Sequence, residues 1–406
     1  MLDIKYIREN PDKVKKACQD KQVKCDIDRL LELDKKRREL LQESESLKAE
    51  QNKLGKDQQE KAREIKEEIK KIEPALKQTE QEFDKLMKQV PNLPLADVPV
   101  GEGEKDNKVL RQEGKKPEFS FKPKDYLEIA EKLDIIDIKR AAKVSGSRFG
   151  YLKGGAVLLE FALVQLAFEN LIKKGFIPVI PPVMLNQKAM AGMGYLDRGT
   201  DEVYHLEKDN LYLVGTSEQS IGVMHMDEVF EEKELPKRYV GFSTCFRREA
   251  GAYGKDTKGI LRVHQFDKVE MFVFCKPENS SKEHALLLAI EEELMKMLEL
   301  PYQVIDICTG DLGDPAAEKW DIEAWFPSQN KYRETHSTSN CTDFQARRLN
   351  IRYKGKDGLK FVHTLNGTVF SQRPILAIIE NYQQENGSIL IPEALRKYMS
   401  EVKKIG

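Results

Sequence analysis

The feature that most constrains the fold of this chain is a leucine repeat near its N-terminus, where Leu33, Leu40, Leu47 and Leu54 recur every seven residues. Such a spacing places apolar side chains along one seam of a helix, as in a coiled coil. After Gly55 a second series alternates steps of four and three residues: Ile65, Ile69, Ile72, Leu76, Thr79, Phe83, Leu86 and Val90. The two series predict an antiparallel hairpin of two helices over about residues 28–90, with its turn at Gly55-Lys56-Asp57.

Each limb of this hairpin would be about 40 Å long at 1.5 Å per residue. Pro74 conflicts with a regular second limb, since proline lacks an amide hydrogen, and we expect a kink or local strain there. Residues 28–90 carry 16 Lys and Arg against 16 Asp and Glu, so a solvated coil without a partner is one interpretation. Basic clusters favour phosphate binding instead. They are Lys35-Lys36-Arg37-Arg38 and the preceding Lys13, Lys15, Lys16, Lys21 and Lys24.

The composition changes after Pro91-Asn92-Leu93-Pro94, which ends the coil. We expect an N-terminal domain over residues 1–100, a linker rich in glycine, proline and charge over 101–124, and a globular domain over 125–406. Residues 125–134 and 154–174 are predicted helices, and 176–184 is a predicted strand interrupted by prolines. The later strands and helices lack a regular alternation, which indicates an α+β domain with an antiparallel sheet flanked by helices.

Overall composition excludes several protein classes. The formal net charge is -1 and 33% of residues are charged, so nucleic-acid binding would depend on local patches. None of the six cysteines forms a C-x-x-C pair, so we expect reduced thiols, no structural zinc and a cytoplasmic location. The N-terminus lacks the apolar segment of a signal peptide, and no run of about 18 apolar residues predicts a membrane span.

A strand, a basic loop and a second strand carry the strongest local signal for function. The predicted strands cover residues 238–249 and 261–275, and alternation brings Arg247, Glu249, Phe266 and Glu270 to one sheet surface. An arginine in that place can pair with a phosphate through two parallel hydrogen bonds. Read without its wider context, the same pattern also fits a hairpin with surface salt bridges.

The segments 246–251 and 262–270 read Phe-Arg-Arg-Glu-Ala-Gly and Arg-Val-His-Gln-Phe-Asp-Lys-Val-Glu. Together they strongly resemble motif 2 of the seryl-tRNA synthetases, a family of class II synthetases. Further segments resemble the same family in the expected order. They are residues 175–182 for motif 1, 215–218 for the Thr-x-Glu loop, 332–334 and 339–348 before motif 3, and 364–368 with 373–382 for motif 3. The resemblance covers essentially the whole chain, including the coil.

This resemblance implies an ATP-dependent ligase that forms seryl-adenylate from L-serine and ATP, releases pyrophosphate and transfers the seryl group to the 3′ end of serine tRNA. Whether such an enzyme also charges selenocysteine tRNA stays open. It further implies that the coil binds the long variable arm of serine tRNA and that the catalytic domain forms a homodimer. ATP and Mg²⁺ are the expected cofactors.

The resemblance also assigns roles to individual residues. For ATP these are Arg247 on the α-phosphate, Glu249 and Val263 on adenine, Phe266 stacked on adenine, Arg373 on the γ-phosphate, and Glu334 with Ser337 at Mg²⁺. Arg247, Glu249 and Arg373 are the expected catalytic residues. For serine they are Thr216 and Glu218 on the amino group, with Glu270, Asn366 and Thr368 around the hydroxyl. For tRNA they are Lys35, Lys36, Arg37 and Arg38, with Lys255 and Lys258 in the loop of motif 2.

Two departures from the family pattern bear on these roles. The chain reads Thr335-His336-Ser337 where many relatives have two serines, so His336 is either a benign neighbour of the triphosphate or a donor to it. The spacing from Asn366 to Arg373 is one residue shorter than the family pattern.

Two other functions are also considered: a related ligase that loads a carrier protein, and a non-catalytic tRNA-binding or scaffold protein. The long coil disfavours the first, and the complete set of charged site residues disfavours the second.

Overall fold

The structure is a computed structural model that describes residues 1–55, 58–198, 200–250 and 258–406. The chain divides into two compact units, Met1–Leu93 and Pro94–Gly406. The N-terminal unit, called the arm unit below, contains helices only. The C-terminal unit, called the catalytic unit, combines a large sheet with helices, so the predicted α+β architecture with an N-terminal helical hairpin is confirmed.

The arm unit contains α1 Ile4–Glu9, α2 Pro11–Asp20, α3 Ile27–Gln51 and α4 Gln59–Gln89. The side chain of Asp26 accepts a hydrogen bond from the Arg29 amide and thereby caps α3. Arg29 at the start of α3 pairs with Glu82 near the end of α4. At the other end of α3, Glu50 pairs with Lys61. The two helices are therefore antiparallel, as the seam predicted, while the predicted turn residues Lys56 and Asp57 lie outside the described residues.

The seam of α4 is buried along its length. All eight residues of the predicted series from Ile65 to Val90 are buried or half-buried, whereas Pro74 lies on the exposed side. The helix is continuous across Pro74. Water can satisfy the carbonyl group that proline leaves without an amide partner, because that side of the helix faces solvent.

At the base of the hairpin a small apolar core joins all four helices, and it includes Ile7, Val14, Leu30, Leu33 and Phe83. Beside it, Asp34 is fully buried and contacts three arginines, Arg8, Arg37 and Arg38. A buried carboxylate requires such compensation, because removing it from water is costly.

The catalytic unit contains nine α-helices among the described residues. They are α5 Tyr126–Lys132, α6 Ile138–Ser145, α7 Gly155–Lys173, α8 Gln187–Met193, α9 Ser217–Val223, α10 Ser280–Met297, α11 Phe344–Leu349, α12 Gln372–Asn381 and α13 Glu393–Arg396. Helix α7 has one face in the main apolar core, through Leu159, Leu163, Leu166 and Leu171. By length and composition alone, α7 could also cross a membrane. The sequence did not predict a membrane span, because it contains no run of about 18 apolar residues.

The strands of this unit build one large sheet and several small ones. They are β1 Lys108–Glu113, β2 Ile136–Asp137, β3 Tyr151–Leu152, β4 Ile177–Val179, β5 Met184–Asn186, β6 His205–Leu206, β7 Leu211–Leu213, β8 Val229–Glu231, β9 Lys237–Phe246, β10 Gln265–Cys275, β11 Tyr302–Asp306, β12 Glu318–Phe326, β13 Lys331–Asn340, β14 Arg352–Gly355, β15 Gly358–Phe361, β16 His363–Ser371, β17 Ile389–Leu390 and β18 Lys404–Ile405. The large sheet has the order β1-β11-β12-β13-β16-β10-β9-β4. Its neighbours are antiparallel except for β4 and β9.

The edge strand β1 refines the expected boundaries. It lies inside residues 101–124, the segment predicted to be a linker, and it pairs with β11. The unpaired edge of a sheet offers free amide and carbonyl groups, so even a charged segment such as Lys108–Glu113 can join it through its backbone. The compact arm unit also ends at Leu93, a few residues before the predicted boundary at 100.

Candidate active site

One pocket of about 710 Å³ opens on the large sheet where β9, β10, β13 and β16 lie side by side. It is lined by most of the residues that the sequence singled out, namely Thr216, Glu218, Arg247, Glu249, Val263, Phe266, Glu334, Ser337, Asn366, Thr368 and Arg373. These residues are up to 157 positions apart in the chain, and the antiparallel register brings them together. Glu270 differs, because it is buried and meets the pocket through its neighbour Lys268.

Two arginines face this pocket from different elements. Arg247 follows β9, donates from Nε to the Gly215 carbonyl at 3.1 Å, and lies over the Phe266 ring at 5.1 Å. Arg373 lies in the first turn of α12 and donates to the Leu261 carbonyl at 3.3 Å. A cation is unfavourable at the start of a helix, so a bound phosphate would improve the local electrostatics there. The pair could neutralise a polyphosphate at two points.

Glu334 is the acidic partner of Arg373, with an Nη1 to Oε2 distance of 3.1 Å. Partial desolvation within the pocket would raise the pKa of Glu334, but the charges of Arg373 and Lys319 outweigh it and lower the pKa to about 2. The Glu334 side chain is 47% exposed into the pocket, so the ionised carboxylate is accessible. Together with the Ser337 hydroxyl it provides oxygen ligands of the kind that Mg²⁺ binds, with phosphates and water completing the shell.

The opposite wall of the pocket combines polar and apolar groups. Glu249 accepts from Arg262 Nη1 at 2.7 Å, and its backbone φ of 52° belongs to the left-handed region. Val263 and the Phe266 ring provide apolar surface close by. A carboxylate beside a flat apolar slot can bind the amino edge and the face of a purine.

A buried ion pair lies at the inner end of the pocket. Lys268 Nζ is 2.6 Å from Glu270 Oε2 and 3.3 Å from Thr216 Oγ1. Burial raises the pKa of Glu270 to about 7, and the positive charge of Lys268 opposes that shift. In β10, Lys268 precedes and Glu270 follows a bulge in the pairing with β16. This bulge lies beside Thr368. The site can therefore present both a cation and a carboxylate to a small polar substrate.

Sequence reasoning did not assign a role to Lys268 or to Lys319. Lys268 has the same strand parity as Phe266 and Glu270, and that signal could have identified it. Lys319 lines the pocket from β12 and pairs with Asp321 at 3.0 Å. Burial raises the pKa of Asp321 to about 7. No local pattern marks Lys319, because its place in the pocket depends on the pairing of β12 with β13.

His336 occupies the opposite face of β13 from the pocket. It is 1% exposed and its Nδ1 lies 2.8 Å from the Thr335 hydroxyl. Its ring meets Phe370 edge to face at 6.0 Å. Burial lowers the pKa of His336 to about 3, so the ring is neutral. Of the two alternatives for His336, this geometry favours the benign neighbour.

The residues predicted to contact tRNA have different environments. Lys35 and Lys36 are exposed on α3, whereas Arg37 and Arg38 pair with Asp34 and Arg37 also lies over the Phe83 ring at 4.4 Å. Lys258 is exposed. Lys255 lies outside the described residues.

Two family models match this chain. The tRNA synthetase class II core domain (G, H, P, S and T) matches residues 203–382, and the seryl-tRNA synthetase N-terminal domain matches residues 1–94. The antiparallel sheet, its pocket and the first of these matches define a class II aminoacyl-tRNA synthetase, an ATP-dependent ligase.

Individual relatives narrow the class to one family. The serine–tRNA ligase of Thermobifida fusca (strain YX) is 47% identical over 99% of this chain and 98% of the relative. That of Acidothermus cellulolyticus is 55% identical over 76% of this chain and 74% of the relative. The crystal structure of seryl-tRNA synthetase from Pyrococcus horikoshii complexed with ATP has a TM-score of 0.93 and 42% identity, covering 100% of this chain and 99% of that one. The chain belongs to the seryl-tRNA synthetase family.

Proposed function

We propose that this chain activates L-serine with ATP and transfers the seryl group to serine tRNA. The observation that carries the proposal is the single pocket that joins Arg247, Arg373 and Glu334 to the buried Lys268–Glu270 pair. The first three groups suit a triphosphate with its metal, and the buried pair suits a small polar amino acid. The relative from Pyrococcus horikoshii is complexed with ATP, and one from Naegleria fowleri with AMP.

The first step needs alignment and charge neutralisation more than proton transfer. The serine carboxylate is ionised at neutral pH, and its oxygen attacks the α-phosphorus while the bond to pyrophosphate breaks. No general base is required. Arg247 would bind the α-phosphate and Arg373 the γ-phosphate, which positions the reacting atoms in line. Glu334 and Ser337 would hold Mg²⁺, which supplies further charge neutralisation when bound.

Selection of serine follows from the inner end of the pocket. Glu270, Asn366 and Thr368 would surround the hydroxyl group, and Thr216 with Glu218 would bind the amino group. Alanine would leave the buried hydroxyl-binding groups without partners, which disfavours it strongly. Threonine carries an extra methyl group that the enclosed end of the pocket would have to accommodate.

The second step passes the seryl group to a terminal ribose hydroxyl of tRNA, and AMP leaves. The arm unit would bind the long variable arm of serine tRNA through Lys35 and Lys36, with Arg37, Arg38 and the more N-terminal lysines nearby. Lys255 and Lys258 would meet the acceptor end. Because phosphate contacts release counterions, this binding should weaken as salt rises.

The catalytic unit would form a homodimer through an apolar surface on α7 and β4. Leu158 and Phe161 are 52% and 55% exposed on α7, and Ile177 on β4 is 50% exposed. An apolar surface of this kind marks an interaction site. Sedimentation of Phe161→Glu against Leu359→Glu, an equally exposed leucine on β15, tests this. We expect the first variant alone to dissociate. The six free thiols fit a cytoplasmic location.

Serine-dependent exchange between ATP and pyrophosphate tests the proposed activity directly. The purified protein should catalyse exchange with serine, and at least about 100-fold more slowly with each of the other nineteen amino acids. Exchange with a different amino acid, or none with any, would refute the proposal. Charging of a serine tRNA transcript, in parallel, separates a complete ligase from one that loads a carrier protein.

A further inference from the structure

Glu218 is held by a hydrogen-bond chain that extends away from the pocket. Its Oε1 accepts from Gln345 Nε2 at 3.1 Å, and its Oε2 accepts from the Tyr195 hydroxyl at 3.3 Å. Glu218 is 6% exposed and lines the pocket. Gln345 is fully buried and reaches the pocket through Glu218. The sequence placed Gln345 within a family motif without a role for its side chain.

Gln345 has a defined orientation because its other end is also bound. The Thr364 hydroxyl on β16 donates to Gln345 Oε1 at 2.7 Å. An ionised carboxylate can only accept hydrogen bonds. The amide nitrogen of Gln345 therefore faces Glu218, and its oxygen faces Thr364. The chain Thr364, Gln345, Glu218 has one direction of donation, and it connects β16 and α11 to the first turn of α9.

The charge state of Glu218 depends on these donors. Burial raises the pKa of Glu218, and Lys268, the Gln345 amide, the Tyr195 hydroxyl and Arg247 oppose that rise. The charge of Glu218 in turn raises the pKa of the nearby carboxyl group of Glu270. Glu218 must be ionised to attract an ammonium group. A neighbouring group that donates a hydrogen bond to the carboxylate and offers it no acceptor favours the ionised form.

We propose that Gln345, oriented by Thr364, is a positioning residue that holds Glu218 ionised and aimed at the ammonium group of the amino-acid substrate. This inference rests on the proposed function, since it assigns Glu218 to the amino group of serine. It adds that recognition of the amino group depends on a residue that does not touch the substrate.

A purely structural role for Gln345 makes different predictions. In that case Gln345 would only link three elements, so its loss would lower stability and weaken the binding of ATP and serine alike. A positioning role predicts a selective loss. Serine would bind less well, ATP binding would be unchanged, and ligands without an amino group would be unaffected.

The test compares Gln345→Met with Gln303→Met as a matched control. Gln303 is also buried, and its Nε2 donates to the Glu323 carboxylate at 2.7 Å while its Oε1 accepts from Gln112. We expect Gln345→Met to raise the KM for serine in pyrophosphate exchange about 10- to 100-fold, as for loss of one charge-assisted hydrogen bond. The KM for ATP should stay within about twofold, and Gln303→Met should change neither.

Two further readouts isolate the amino group. The first is binding of seryl-sulfamoyl-adenosine and of its counterpart without the amino group. Gln345→Met should weaken the binding of seryl-sulfamoyl-adenosine and leave the binding of its counterpart unchanged. The second is the pH profile of kcat/KM for serine. With one donor lost, the pKa of Glu218 rises further, so the acidic limb should move to higher pH in Gln345→Met and stay in place in Gln303→Met.

The outcomes separate the inference from the proposed function. An unmodified protein without serine-dependent exchange refutes the function itself. An active protein whose Gln345→Met variant weakens both analogues equally, or behaves like Gln303→Met, overturns only the positioning role. If Gln345→Met does not fold, the nearly isosteric Thr364→Val provides the same test. It should raise the KM for serine by a smaller factor, and an unchanged KM would overturn the inference.

Discussion

Buried charged side chains have different surroundings in the two units of this protein. In the arm unit, Asp34 is fully buried and contacts three arginines. In the catalytic unit, Lys268 and Glu270 are buried beside a pocket of about 710 Å³. Burial raises the pKa of Glu270 to about 7 although its cation is 2.6 Å away.

The difference shows which buried charges are structural. Asp34 is compensated within the unit and stabilises the base of the hairpin. Glu270 and Glu218 are compensated only in part. Glu218 lines open space that a substrate can enter, and Glu270 meets that space through Lys268. Strongly shifted carboxyl groups beside a cavity are typical of functional sites. Four predictions test or sharpen this contrast, in order of decreasing effect.

The largest effect should come from shortening the arm. Replacing residues 41–71 with a short Gly-Ser turn removes the outer parts of α3 and α4 but keeps Leu30, Leu33 and Phe83 in the core. We expect tRNA charging to fall by about 10³-fold, mostly through KM, because about 17 Å of α3 and about 20 Å of α4 are lost. Serine-dependent pyrophosphate exchange should stay within about twofold. Moderate salt should reproduce part of the charging defect in the full-length protein.

A shortened protein that still charges tRNA normally would make the outer arm a scaffold. Loss of exchange together with charging would mean that the arm supports the catalytic unit.

Arg247→Ala should have the next largest effect, on the catalytic unit alone. The change removes the charge that we propose acts on the pentavalent phosphorus, and we expect the exchange rate to fall at least about 100-fold. Arg238→Ala is the matched control, since Arg238 lies near the start of β9, the strand that Arg247 follows, and pairs with Glu283. It should lower thermal stability with little loss of exchange. Near-normal exchange by Arg247→Ala would disprove its role on the α-phosphate.

Glu270→Ala should change substrate choice more than rate. We expect the KM for serine to rise about 10- to 100-fold and the preference for serine over alanine to fall, because the hydroxyl group loses a buried partner. The pKa of Glu270 is raised, so its ionisation destabilises the folded state from about pH 4.5 upward, and fully above about pH 7. Loss of stability in the variant should therefore be smaller at pH 8 than at pH 5. Exchange assays with both amino acids, and melting curves at both pH values, measure these effects.

Glu323→Ala, on strand β12 of the same sheet, provides the control for this variant. The preference of Glu323→Ala for serine over alanine should match that of the unmodified protein. A Glu270→Ala protein with full selectivity would show that the hydroxyl is recognised elsewhere.

The smallest effect should come from Asp34→Asn in the arm unit. Three partly exposed arginines lose their common partner, which we expect to cost about 1–2 kcal/mol of arm stability. Hydrogen exchange of the full chain should show faster exchange for α3 and α4 amides and no change in the large sheet. Pyrophosphate exchange should be unaffected. Faster hydrogen exchange throughout the sheet would contradict the expectation that the effect of this substitution is confined to the arm unit.

Local sequence determined much of this protein. The seam from Leu33 to Val90 depends only on side-chain period, so the hairpin follows from the sequence. The strands around Arg247 and Phe266 were likewise predictable from alternation, although β10 begins at Gln265 rather than 261. The family motifs identified the pocket residues because their spacing is local to each strand and loop.

The tertiary structure alone decided the features that depend on strand pairing and burial. The edge strand β1 pairs with β11, almost 200 residues away, and no short-range pattern encodes such a partner. Lys319 enters the pocket through the register of β12 with β13. The face of β13 that carries His336, and the chain from Thr364 through Gln345 to Glu218, are also consequences of packing. Contacts between distant segments exist only after the sheet has formed, since each depends on the register of several strands at once.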